Sequence, residues 1–94
     1  MSADEEIRRA RDAQQVLENP AYQDAYATID AALVSAWRDS RDPKDREDLH
    51  KMLGLLARIQ GAMESVMRNG KITEKELLRK RNFAERMGLN ARHH

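Results

Sequence analysis

Chemistry in this chain would have to begin at His50, the one histidine away from the end of the sequence, set in Asp48-Leu49-His50-Lys51 on a segment of helical periodicity. A metal ion held on one helix face wants a second imidazole or a carboxylate at i+3 or i+4. Those positions are Leu53 and Gly54, so His50 reads as a surface residue and no metal is expected. No serine, threonine or lysine stands with a base and an orienting partner in a recognisable frame, and there is no glycine-rich phosphate loop. The chain is therefore read as non-enzymatic, with no cofactor and no small-molecule substrate.

The residues best suited to bind rather than react lie near the C-terminus. Between positions 68 and 92 there are eight basic and three acidic side chains, a balance of +5, concentrated in Leu77-Leu78-Arg79-Lys80-Arg81-Asn82-Phe83. Lys75, Arg79, Lys80, Arg81 and Arg86 are the candidate phosphate contacts. Neither a helix-turn-helix frame nor interleaved aromatics accompanies them, so nucleic acid is a secondary expectation and a solvated face the simpler one. Trp37 ends an apolar stripe and reads as a core cap. Met52, Met63, Met67 and Met87 read as core filling, with an adaptable groove as the alternative.

A third set is conspicuous for lacking side chains. Gly54 and Gly61 lie seven residues apart inside the helical run 52–70, where each costs roughly 1 kcal/mol relative to alanine if exposed. On a helical wheel they fall opposite the main apolar arc, with Ala57 and Ser65 extending them into a small-residue stripe beside Lys51, Arg58 and Arg68. Two readings stand: tolerated, exposed glycines, or a second contact surface. For the latter, the candidate protein-interaction residues are Gly54, Ala57, Arg58, Gly61 and Ser65.

The elements that must position these residues follow from periodicity and caps. At 94 residues, with 35% charged and only 4% aromatic side chains, the composition suits helices and a single small core. Ser2-Ala3-Asp4-Glu5 has capping-box spacing, and Ile7, Ala10, Ala13 or Gln14, and Leu17 recur at helical intervals. They predict a helix over about 3–18. Asn19-Pro20 interrupts it, and Tyr22, Tyr26, Ile29, Leu33 and Trp37 predict a second over about 20–39. Asp42-Pro43 opens a third, predicted to run to Asn69-Gly70, a familiar helix stop. Thr73-Glu74-Lys75-Glu76 again has capping-box spacing and predicts a short fourth helix over about 73–88.

The expected fold is all-α: an antiparallel hairpin of about 20–39 and 43–69, a shorter N-terminal helix and a short C-terminal one. As domains, this is one unit over 1–94, with an N-terminal arm at 1–19, a hairpin core at 20–70 and a basic segment at 71–94. The third helix carries an apolar arc about 180° wide, more than one partner helix can cover. Helix one, helix four or a second copy must cover the rest.

Charge is polarised along the sequence. Residues 1–48 hold 12 acidic and 7 basic side chains, net −5, and residues 49–94 hold 4 and 10, net +6. Antiparallel packing lets the two halves neutralise each other. Without cysteine there is neither a disulfide nor a thiolate metal site. No apolar run approaches the roughly 20 residues of a membrane span, and the first residues lack the apolar core of a secretion signal, so a cytoplasmic location is expected. Ala91-Arg92-His93-His94 fits a native end as well as a tag remnant, and its histidines carry no weight here.

The frame from Leu17 to Ile72 resembles small helical proteins encoded by tailed phages and prophages, often among virion-assembly genes. Leu17-Glu18-Asn19-Pro20, Tyr22 with Tyr26, Ala36-Trp37-Arg38, Asp42-Pro43, Asp45-Arg46-Glu47 and Asn69-Gly70-Lys71 carry the likeness. It covers over half the chain and consists of helix stops and core positions, so it implies a helical hairpin and no catalytic function. From it comes the expectation of a protein-binding, self-associating component of particle assembly or a minor virion protein, placed in the host cytoplasm or the virion. The alternatives are a nucleic-acid accessory protein using the basic segment, and an inhibitor of a host protein presenting the acidic first half.

Overall fold

The computed structural model describes residues 1–88. These form three helices and no strand: α1, Ala3–Leu17; α2, Pro20–Asp39; and α3, Pro43–Arg86. The all-α fold and the hairpin expected from the sequence are both present.

Each helix start is set by a short polar side chain. Ser2 Oγ accepts the backbone N–H of Glu5 at 3.2 Å, and Asp4, Glu5 and Glu6 in the first turn favour the positive end of the helix dipole. Asn19 Oδ1 accepts from the N–H groups of Ala21 and Tyr22 at 2.8 and 3.3 Å, with Pro20 in the first turn where its missing donor is not needed. Asp42 Oδ1 does the same for Lys44 at 3.0 Å ahead of Pro43. The α2–α3 turn is then clasped by Arg46. Its guanidinium donates to the carbonyls of Trp37 and Ser40 at 2.6 and 3.0 Å and stacks on the Trp37 ring at 4.3 Å. Trp37 is thus the platform for that arginine, more than a third exposed, and not a core cap.

The C-terminal expectation is corrected. There is no break at Asn69-Gly70 and no separate helix over 73–88; α3 runs on through both as one helix of 44 residues, about 66 Å long at 1.5 Å per residue. Gly70 is buried in mid-helix. A Cβ built there would collide with the Ala10 side chain and come within 2.7 Å of the Glu6 carbonyl. The glycine therefore serves close approach of α1, not helix termination. Thr73 and Glu74, read as the start of a new helix, hold that approach from either side: Thr73 Oγ1 donates to Glu6 Oε2 at 3.2 Å, and Arg11 donates to Glu74 Oε2 at 2.6 Å.

These contacts also give the topology. Residues 6 and 10 sit at 73 and 70, Tyr22 sits at Gln60, and Trp37 sits at Arg46. So α1 and α2 follow one another along the same side of α3, both antiparallel to it, and α1 packs on it more extensively than α2. The result is a rod of 74 × 24 × 18 Å with a radius of gyration of 21.1 Å, where a compact chain of this length would have about 12 Å. Its interior is correspondingly thin, with Ala10 and Ala13 the only buried apolar side chains among the described residues.

Along α2, half-buried Tyr22 donates its O–H to Gln60 Oε1 at 2.6 Å, with the Tyr26 ring centroid 6.0 Å away. Burial, then the neighbouring Tyr26 and Glu64, push the Tyr22 phenol above its ordinary value of 10.0.

Two outcomes follow from these contacts. Gly70→Ala should lower stability by about 1–3 kcal/mol, the usual cost of overpacking, whereas Gly54→Ala, with nothing within 4 Å of its new Cβ, should raise it by about 0.5–1 kcal/mol. Chemical denaturation of the two variants checks the contrast. Because the folded chain favours the neutral Tyr22 phenol, its contribution is intact below pH 10.0 and is lost as pH climbs through the raised folded value. Thermal midpoints from pH 8 upward should therefore fall less steeply for Tyr22→Phe, though that variant starts lower for want of the Gln60 bond.

Candidate interaction surface

An α-helix carrying an apolar arc of 180° offers more surface than one layer of helices can cover. In α3 the covered part is the row Leu49, Leu53, Leu56, Met63 and Met67, all half-buried under α2 and α1. The remainder is not covered. Met52 is 50% exposed, and Leu55 and Ile59 are 57% each. One turn apart on the same edge, they form a continuous row that Ala62 and Val66 extend.

The row borders both shorter helices. At the turn end Met52 shares a shallow groove with Ala36 of α2 and with Asp45 and Asp48 of α3. Further along, Ala62 and Val66 share one with Arg9, Asp12 and Ala13 of α1. Ile29, two turns before Ala36 on α2, is 50% exposed, and Val16, one turn after Asp12 on α1, is 41% exposed. The apolar strip thus continues onto α1 and α2 along one side of the rod.

The sequence-derived interaction residues occupy a neighbouring strip. Gly54, Ala57, Arg58 and Gly61 are exposed and Ser65 is half-buried. Gly54 and Gly61 look onto open space, so nothing within the chain uses their smallness. Leu55 joins the two strips, lining a shallow groove with His50, Lys51, Gly54 and Arg58. His50 is exposed there, and among the described residues no three metal-ligating side chains cluster.

The basic candidates sit on the end of α3 that projects past α1. Given residues 6 and 10 opposite 73 and 70, Ala3 lies near position 77, and the last ten residues or so of α3 have no companion helix. There Lys75, Arg79, Lys80 and Arg86 surround Leu78, Asn82 and Phe83 in one open groove, with the Arg86 guanidinium 5.9 Å over the Phe83 ring. Arg81 does not line it. Leu78, Phe83 and Met87 are 44%, 49% and 59% exposed, so this end is apolar as well as basic. Arg92, His93 and His94 lie outside the described residues.

What the sequence missed was which part of the wide arc would be left bare. The arc was legible, but helix one, a fourth helix and a second copy stood as alternative covers for its excess, and no fourth helix exists as a separate element. Comparisons with known protein families, curated proteins and solved structures find no match. Among the described residues no helix is long and apolar enough to cross a membrane.

The division of α3 into a covered and a bare row is directly measurable. At low protein concentration, Leu56→Ala should cost about 2 kcal/mol or more by loss of packed surface, and Leu55→Ala well under 1 kcal/mol, with urea midpoints as the readout.

Proposed function

We propose that this chain is a non-enzymatic helical interaction protein of the kind encoded by tailed phages, binding protein during particle assembly or residing in the particle as a minor component. The observation that supports the reading is the bare row Met52, Leu55 and Ile59 on a rod with almost no interior. Contiguous exposed apolar surface on a small protein is characteristic of a protein-binding face, and a straight helical edge suits contact with another helix. The adjoining strip of Gly54, Ala57, Arg58, Gly61 and Ser65 widens that face and lets a partner backbone come close. The host cytoplasm is the place of action, with the virion as the destination if the protein is packaged.

A second reading, a nucleic-acid accessory protein, draws on the projecting basic groove of Lys75, Arg79, Lys80 and Arg86. Its signature is affinity that falls steeply with salt; the apolar reading has no such slope.

The test is complementation of the phage or prophage that carries the gene. Deleting the gene should lower the yield of infectious particles at least tenfold. Leu55→Glu with Ile59→Glu should reproduce that loss while the purified variant keeps its helical circular dichroism. Arg8→Ala, an exposed change away from the row, should complement fully. Normal yield with the Leu55/Ile59 variant, or a gene whose loss leaves particle production untouched, would overturn the reading.

A further inference from the structure

We infer that the back of α3, the face turned away from α1, is a docking surface for duplex DNA. The inference rests on the nucleic-acid reading above and names both the ligand and the face. Gly70 and Thr73 mark the side of α3 on which α1 lies. On the opposite side, at about 100° per residue, an arc about 80° wide holds from position 68 to 86 only Arg68, Lys71, Lys75, Arg79, Asn82 and Arg86. All six are exposed. The acidic residues of the same stretch, Glu74, Glu76 and Glu85, fall outside the arc, and Glu64 closes it at the other end. The result is a line of cations about 27 Å long at 1.5 Å per residue, none of them in an ion pair among the described residues. Lys71, Lys75 and Arg79 follow one another at four-residue spacing, where like charges repel, so a bound anion stabilises the stripe.

The make-up of the face selects the anion. No apolar side chain lies within the arc, and Leu78 and Phe83 stand on its two margins, about 140° apart around the helix. It therefore lacks the clustered anchors of a protein-binding face and the apolar side of a membrane-surface helix. Phosphates along a nucleic-acid backbone need neither. A single strand is held by stacking on open aromatic faces, and Phe83, the one aromatic of this stretch, carries the Arg86 guanidinium at 5.9 Å. Between duplexes, shape decides. Past α1 the last turns of α3 have no companion, and a single helix about 10–12 Å across fits the roughly 12 Å major groove of B-form DNA. The deep, narrow major groove of an RNA duplex does not admit it. With that end in the groove, Arg79, Asn82 and Arg86 face the base edges. Arg68 and Lys71, about two to three turns back, reach the phosphates at its rim, and α1 lies on the far side, out of the way.

Fluorescence polarisation of the full chain with a labelled DNA duplex of about 20 base pairs, two helical turns, tests the assignment. Between about 50 and 200 mM salt, the logarithm of the affinity should fall against the logarithm of salt with a slope of about −4.5, as five neutralised phosphates require. Arg68→Gln with Lys71→Gln, neither of which lines the groove at the helix end, should weaken binding about tenfold or more at low salt and flatten the slope by about 2. Lys75→Gln with Arg79→Gln should do the same. Arg41→Gln, exposed in the α2–α3 turn, should change neither quantity, and all variants should keep their helical circular dichroism. Loss of binding in the Lys75/Arg79 variant but not in the Arg68/Lys71 variant would overturn the stripe and leave the nucleic-acid reading standing. Equal or tighter binding of a single strand or an RNA duplex of the same sequence would do likewise. Polyglutamate bound as tightly as the duplex would make the partner an acidic protein, and that result, or no binding to any of these probes, would remove the inference and the nucleic-acid reading together.

Discussion

The approach of α1 to α3 at Gly70 is the constraint on which the shape of the molecule depends. A glycine in mid-helix lowers helix propensity, and Asn69-Gly70 has the composition of a terminus. Here the missing Cβ makes room for Ala10 and for the Glu6 carbonyl, and the packing gained outweighs the propensity lost. Thr73–Glu6 and Arg11–Glu74 fix the register of that contact. The Arg11–Glu74 pair is exposed, so its part is more alignment than energy. With α1 anchored there and α2 anchored through Tyr22 and Arg46, the two short helices are laid end to end along a third that is longer than both together.

That arrangement determines what the surface can do. Helices placed in series cover one side of α3 and leave the flank bare, so the chain buries little while displaying Met52, Leu55, Ile59 and Ile29. A globular bundle of the same composition would have folded those residues inward. The basic groove that projects past α1 is the consequence of α3 continuing through residue 70.

Much of this was legible in the residues. Ser2, Asn19-Pro20 and Asp42-Pro43 announce helix starts through local hydrogen bonds that need no tertiary partner, and the structure places all three where their side chains predict. The excess width of the apolar arc on α3 was equally readable, because it depends only on periodicity. Gly70 and Thr73 were misread for one reason. Their roles are set by residues 6 and 10, more than sixty positions away, and local pattern cannot distinguish a glycine that ends a helix from one that admits a neighbour. For Gly54 and Gly61 the sequence left two readings, tolerated and exposed or part of a second contact surface, and within the chain both look onto open space.

Small-angle X-ray scattering on an absolute scale, recorded over a range of protein concentrations, tests the central claim most directly because it reports mass and length together. The single chain should show a radius of gyration near 21.1 Å and a longest dimension near 74 Å, as two short helices laid in series along α3 require. A radius of gyration near the roughly 12 Å of a compact chain of this length would contradict the account.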